Sequence, residues 1–331
     1  MKNFENNVLT DTSVAEQEFN QQFCDDVIAG LKAVPKFLQP KYFYDSAGDE
    51  IFQQIMGSNE YYPTDCELEI FTQQTQELAK AMIADDSPFD LIELGAGDAM
   101  KSTHLLRHLL NESADFRYVP IDISGHVINY LKETLPVTLP GLQLIGLTGE
   151  YFHMLKEAAE LSPRRKVVLF LGSNIGNMPV SDAQQFCIEL RNHLAKGDSV
   201  LMGVDLKKNP KTILAAYNDA EGHTRNFNLN LLTRINSELG ANFDLSKFEH
   251  YPTYDPETGA CKSYLISLAD QQVSLCNQTV TFTKDEYIYM EISQKYTLGQ
   301  TDYMASVSGF KPVQHFFDSK KWFVDAIWTV E

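Results

Sequence analysis

The chain has 331 residues, 44% of them hydrophobic and 11% aromatic, which is enough apolar mass for one large core or two ordinary ones. Twenty-seven Lys and Arg stand against 45 Asp and Glu, and the net charge of −18 repels phosphate backbones and anionic bilayers, so nucleic acid and membrane surfaces are excluded as targets. Cys24, Cys66, Cys187, Cys261 and Cys276 are odd in number and lack C-x-x-C spacing, a pattern of reduced intracellular thiols rather than of a disulfide frame; with no apolar signal core at the N-terminus and no run near the roughly 18 apolar residues of a membrane span, the expected compartment is the cytoplasm.

In chain order, Ser13 and Glu16 stand at capping-box spacing and predict a helix from about Val14. Lys41–Glu50 and Asn59–Thr64 are dense in tyrosine before any sheet begins. Each tyrosine brings a rigid apolar face and one hydroxyl, which suits a domain contact or a small-ligand pocket. From Phe89 onward strand-like and helix-like segments alternate, the pattern of a parallel sheet covered by helices. The predicted strands are Phe89–Leu94, Phe116–Ile121, Leu142–Thr148, Lys166–Leu171 and Ser199–Val204. The helices between them are predicted over Lys101–Leu110, His126–Leu135, Tyr151–Leu161 and Asp182–Ala195, the last with Ser181 and Gln184 at capping-box spacing. A helix over Leu298–Ser308 and a hairpin of Lys311–Phe317 with Trp322–Val330 close the chain.

The first strand ends in Glu93, passes Gly95 and Gly97, and opens a helix at Lys101. Glycines there let backbone pass close to a ligand, and an acid at the end of the next strand grips a ribose. Asp122 is that acid, 25 positions beyond Gly97 and near the roughly 20 of a dinucleotide fold. The third glycine of the dinucleotide fingerprint is replaced by Met100, which argues against NAD and for S-adenosylmethionine, a nucleoside with no pyrophosphate to cradle. The closing hairpin points the same way.

Two other stretches carry polar chemistry. Gly172-Ser-Asn-Ile-Gly-Asn177 follows the fourth strand at the ligand-binding edge of an α/β sheet, and its amides suit both the amine and the carboxylate of an amino acid. A turn rich in Gly and Asn accounts for it equally well. Alternation in Tyr287–Gln294 places Glu291 and Ser293 on one strand face, as a clasp for an N–H donor or as a solvated surface. No metal site is expected, since no H-E-x-x-H or paired cysteine motif is present.

The expected fold is α/β: a Rossmann-like class I methyltransferase sheet with a closing antiparallel hairpin, plus a smaller α+β substrate-binding domain. Residues 65–206 and 295–331 form the first domain in this reading. Residues 1–64 and 207–294 form the second and cover the cofactor mouth, because an insertion that long carries structure of its own.

Tyr44-Asp45, Glu60-Tyr-Tyr-Pro-Thr64, Glu93-Leu-Gly-Ala-Gly97, Phe170-Leu-Gly-Ser-Asn-Ile-Gly-Asn177, Ala215-Ala-Tyr-Asn-Asp219 and Asn236-Ser-Glu-Leu-Gly-Ala-Asn-Phe-Asp244, in that order, resemble the histidine-specific Nα-methyltransferases of ergothioneine biosynthesis from about Pro35 onward. The resemblance implies three methyl transfers from S-adenosylmethionine to the α-amino group of L-histidine, giving hercynine. It implies cofactor contacts from Gly95, Gly97, Lys101, Asp122, Glu150 and Tyr151. It also implies Asn177 and Tyr217 at the substrate carboxylate, Tyr44, Phe52 and Gly172 around the amine, and Tyr61, Glu291 and Ser293 at the imidazole, with Tyr44 and Asn177 orienting the amine lone pair. The partner implied is a small amino acid and the chain is read as a monomer. Two alternatives stand beside this: a relative acting on another amino acid or alkaloid amine, and a noncatalytic S-adenosylmethionine-binding protein.

Overall fold

A computed structural model describes residues 19–83 and 87–331. The helix start expected at Ser13 and Val14 lies outside the described residues. The chain divides into two compact units, one of Met1–Tyr61, Lys211–Tyr254 and Cys261–Ile292, the other of Tyr62–Pro210, Asp255–Ala260 and Ser293–Glu331.

The second unit is built on a seven-stranded sheet. Its spatial order is Lys311–Phe317, Phe323–Thr329, Ser199–Asp205, Arg165–Phe170, Phe89–Leu94, Phe116–Asp122, Leu147–Thr148. The five strands from Ser199–Asp205 to Leu147–Thr148 run parallel, and the terminal hairpin adds antiparallel to Ser199–Asp205. Strands covered on both faces read as short, nearly continuous apolar runs, and Phe89–Leu94 and Ser199–Asp205 are buried at every position. The chain builds outward from Phe89–Leu94 to one side and then returns to its other side with Arg165–Phe170, so the topological switch point, where open α/β sheets bind ligands, lies between these two strands.

Two sequence expectations shift here. The predicted strand Leu142–Thr148 pairs as a two-residue ladder at Leu147–Thr148, with one separate bridge from Leu144 to Tyr118. Gly146 lies between them, where an added Cβ would stand 2.7 Å from Ile128 Cγ2, so the edge strand breaks as it passes close under a helix. The helix expected from Asp182 begins at Val180, behind Pro179, so Ser181 falls in the first turn and bonds Asp182 at 2.9 Å instead of capping.

The other unit is α+β. Strands Lys36–Phe37, Tyr287–Gln294, Ala260–Ser267 and Phe248–Tyr254 form one sheet in that order, and Gln271–Leu275 pairs with Gln278–Phe282 in a hairpin. Ile288, Met290 and Leu265 from the sheet pack with Phe23, Val27 and Leu31 from helix 19–32 and Phe227, Leu231 and Leu232 from helix His223–Leu239. With Ile288, Met290 and Ile292 turned inward, alternation sets Tyr289 and Glu291 on the opposite strand face.

One cysteine expectation is corrected. Cys24 and Cys276 form a disulfide with Cα atoms 6.4 Å apart, while Cys66, Cys187 and Cys261 stand outside it and are buried. A separation of 252 residues and the absence of any local motif hid the pair. No helix among the described residues is long and apolar enough to cross a membrane.

Candidate active site

The glycine corner sits at the switch point. Gly95, at φ 71°, donates its N–H to Ile121 O at 2.8 Å, and a Cβ there would stand 2.8 Å from the Tyr151 hydroxyl. Gly97, at φ 52°, has open space where a side chain would project. Both conformations lie in the left-handed region that favours glycine. Asp122 ends the neighbouring strand, and its carboxylate accepts from Ser124 N at 2.9 Å and Gly97 N at 3.3 Å. Burial raises its pKa and these backbone donors oppose that rise. Tyr151 heads helix Tyr151–Glu160 and sets its ring edge-on to Phe170 at 5.8 Å; Glu150, at the N-cap position, is exposed and makes no cap bond.

Across the switch point, Gly172 turns at φ 70° and Ser173 at φ 56°. Asn174 to Asn177 then make one 3-10 turn, in which Asn177 Nδ2 donates to Asn174 Oδ1 at 3.5 Å. The two loops are tied by a residue that sequence reasoning missed. Glu67 is fully buried, accepts from Gly172 N at 2.9 Å on both oxygens and pairs with Lys101 Nζ. Its signal lay in helical spacing: Pro63, Cys66, Glu67, Ile70 and Phe71 are the buried stripe of helix Tyr62–Gln73, and a carboxylate on an apolar stripe demands a partner. Ser293 accepts from Lys295 Nζ at 2.8 Å, and Lys295 pairs with Asp205 at 2.7 Å, both groups fully buried.

Glu93 sits beneath the corner and accepts from the Tyr118 hydroxyl at 2.5 Å. Burial pushes its carboxyl up to about 7 from 4.5, against the pull of Tyr118, Ser102 and Lys101. The folded state therefore binds this proton more tightly than the unfolded chain, and the stability it contributes is complete below 4.5 and lost as pH rises to 7. At about 1.4 kcal/mol per pKa unit the loss amounts to about 3 kcal/mol. Urea unfolding of the native chain and Glu93→Gln at the two ends of this window is the measurement. The amide keeps an acceptor for Tyr118 and should flatten the fall by that amount; an unchanged slope refutes the assignment.

In the other unit the predicted aromatic residues form a chain of rings. Tyr44 meets Phe52 at 5.9 Å, Phe52 meets Tyr61 at 6.4 Å, and Tyr61 meets Tyr217 at 6.1 Å, each edge to face. Phe227, unanticipated from sequence, is the hub, 5.7 Å from Tyr44 and 5.8 Å from Phe52. Asp45 fixes the loop after Tyr44, accepting from Gly48 N at 2.7 Å and Asn230 Nδ2 at 3.0 Å. Next to Phe227, the fully buried Asn228 donates to Glu291 Oε1 at 3.3 Å and to Thr224 O at 3.0 Å. An acceptor-only carboxylate thus stands on the strand face opposite the core, held by an amide.

A parallel sheet finished by an antiparallel hairpin, carrying two left-handed glycine turns and a ribose-type carboxylate at its switch point, is the frame of a class I S-adenosylmethionine-dependent methyltransferase. Asp122 beside the open position at Gly97 fits a nucleoside, and the adjacent Gly172 and Asn177 turn fits an amino-acid end. The sequence profile of the histidine-specific, S-adenosylmethionine-dependent methyltransferases matches residues 23–330, and the chain belongs to that family. It is 34% identical over 273 residues to a histidine N-alpha-methyltransferase of Mycolicibacterium smegmatis, covering 82% of this chain and 83% of that one. Over 275 residues it is 35% identical to the same-named enzyme of Mycobacterium tuberculosis, with the same coverage. Among solved structures, magnesium protoporphyrin IX methyltransferase from Synechocystis with bound S-adenosylhomocysteine aligns with a TM-score of 0.45 at 12% identity, covering 88% of this chain and 98% of that one.

Proposed function

We propose that the protein transfers three methyl groups in succession from S-adenosylmethionine to the α-amino group of L-histidine, giving hercynine within ergothioneine biosynthesis. The observation that carries the substrate is Glu291 held by Asn228 beside the Phe227 ring cluster, a fixed acceptor suited to an imidazole N–H. In the sheet unit, Gly95, Gly97, Lys101, Asp122, Glu150 and Tyr151 hold the methyl donor, Gly172 and Asn177 meet the amino-acid end, and Ser293 reads the imidazole. In the other unit, Tyr44 orients the amine with Phe52 beside it, Tyr217 meets the carboxylate, and Tyr61 and Glu291 read the ring. The cofactor supplies a methyl carbon already activated by a sulfonium, so this chain's own residues contribute alignment and a site that excludes water. The amine reacts unprotonated and releases its proton to solvent. In this reading the protein acts in the cytoplasm as a monomer.

Incubating the protein with cofactor and each amino acid in turn, followed by mass spectrometry, is the test. Histidine alone should gain one to three methyl groups, with the trimethylated species accumulating. Preferential methylation of another amine overturns the substrate assignment, and cofactor binding without product from any amine identifies a noncatalytic binder.

A further inference from the structure

One buried carboxyl of the sheet unit has no part in the site described above. Asp325 lies within strand Phe323–Thr329, whose first six residues are buried, and is itself 0% exposed. Among the described residues neither of its oxygens meets a hydrogen-bond donor. Its register partners are Gly203 on one side and Phe316 on the other, and neither brings a charge. A Cβ on Gly203 would run into Oε1 of Glu67 and stand 3.2 Å from Oδ1 of Asp325, so the bare glycine leaves the space in which the two carboxyls converge. Glu67 is already committed to Gly172 N and Lys101.

Two ionised carboxylates are both acceptors, and their contact becomes a hydrogen bond only with a proton between them. We propose that Asp325 is a protonated carboxylic acid that donates its hydrogen to Glu67, and that it is thereby a positioning residue for the Glu67 link between Lys101 and the Gly172 turn. The charge balance agrees. With Asp325 neutral, Glu67 and Lys101 cancel; with both acids ionised, a negative charge is left uncompensated in a buried site. Burial, and then the Glu67 carboxylate, hold the Asp325 carboxyl well above the usual carboxylate range against the attraction of Lys101. Glu93, which accepts from the Tyr118 hydroxyl, also acts on Lys101, and burial raises its carboxyl to about 7. The functional half of the inference rests on the reading of Lys101 and Gly172 as ligand-side groups; the proton does not.

The test has two arms on the full-length chain. With carboxyl-labelled aspartate, carbon NMR of the native protein should show one aspartate that keeps the protonated shift at neutral pH, and Asp325→Asn should remove that signal. In the binding arm, the amide of Asp325→Asn keeps a donor for Glu67, so its S-adenosylmethionine affinity should stay near native. Asp325→Ala should lose about tenfold, the worth of one buried hydrogen bond, as a higher KM for the methyl donor with kcat little changed. The native KM for the donor should also rise at alkaline pH, where Asp325 ionises, and the Asn variant should lose that rise. Finding every aspartate ionised at neutral pH, or the Asn variant as weak as the Ala one, overturns the proposal. A native chain that keeps the protonated signal but binds no S-adenosylmethionine overturns the reading of the methyl-donor site and leaves the proton on Asp325 supported.

Discussion

Asp122→Ala is expected to abolish measurable S-adenosylmethionine binding while leaving the fold intact. The Asp122 carboxylate closes strand Phe116–Asp122 and accepts from Ser124 N and Gly97 N, so it clamps the second glycine of the corner, and in the proposed site it is also the ribose acceptor. Truncation would remove the proposed charge-assisted bonds to the ribose hydroxyls, and it takes from the Gly97 turn, at a left-handed φ of 52°, the carboxylate that accepts its N–H. At about 1.5–3 kcal/mol for a hydrogen bond to a charged group, and with two sugar hydroxyls to hold, the loss of affinity is at least about a hundredfold. Asp122→Asn keeps one acceptor oxygen and should fall between the two. Isothermal titration of native, Asn and Ala chains with cofactor measures this, and affinity of the Ala variant within about threefold of native, well short of one lost bond, would place the nucleoside elsewhere.

The legible parts of the fold were those whose forces act over a few neighbours in sequence. The strands Phe89–Leu94 and Ser199–Asp205 are buried at every position, and burial on both faces writes itself as a mostly apolar run, which Phe89–Leu94 interrupts only with Asp90 and Glu93, each bonded to a partner. The corner was legible because φ values of 71° and 52° call for glycine and because a strand-end acid follows at a fixed distance. What stayed hidden depends on side chains meeting across long separations. Asn228 reaches Glu291 over 63 residues and Cys24 reaches Cys276 over 252, and no local pattern marks either meeting. Glu67 and Asp325 left a fainter trace, each a single carboxylate set in an otherwise apolar stripe, one at helical and one at strand spacing. Buried charge of that kind is costly unless paired, so a lone acid on an apolar face is itself a signal of a partner elsewhere.

Glu291→Ala should do the reverse of Asp122→Ala, leaving cofactor affinity unchanged and reducing histidine turnover by about a hundredfold or more. Glu291 belongs to the strand face turned away from the core, in the unit that does not carry the glycine corner, and the proposed site gives it the acceptor rather than the nucleoside, so its removal should leave cofactor binding in place. In the proposed site the same removal would strip the imidazole N–H of its acceptor, and it takes from Asn228 Nδ2 its bond to Glu291, leaving the one to Thr224 O. A site built to hydrogen-bond a substrate N–H loses about 2–4 kcal/mol when that pairing is broken, because buried polar groups on both sides go unpaired. The loss should fall on kcat/KM for histidine, with the KM for the methyl donor unmoved. Glu291→Gln separates charge from geometry: its carbonyl still accepts a hydrogen bond, so it should retain more activity than Ala if hydrogen bonding dominates, and match Ala if the negative charge does. Calorimetric titration with cofactor and mass-spectrometric turnover assays on the same preparations decide the matter. Equal loss of cofactor binding in the Asp122 and Glu291 variants, or native histidine turnover in Glu291→Ala, removes Glu291 from substrate recognition and leaves the ring cluster around Phe227 as the place to search for what selects the acceptor.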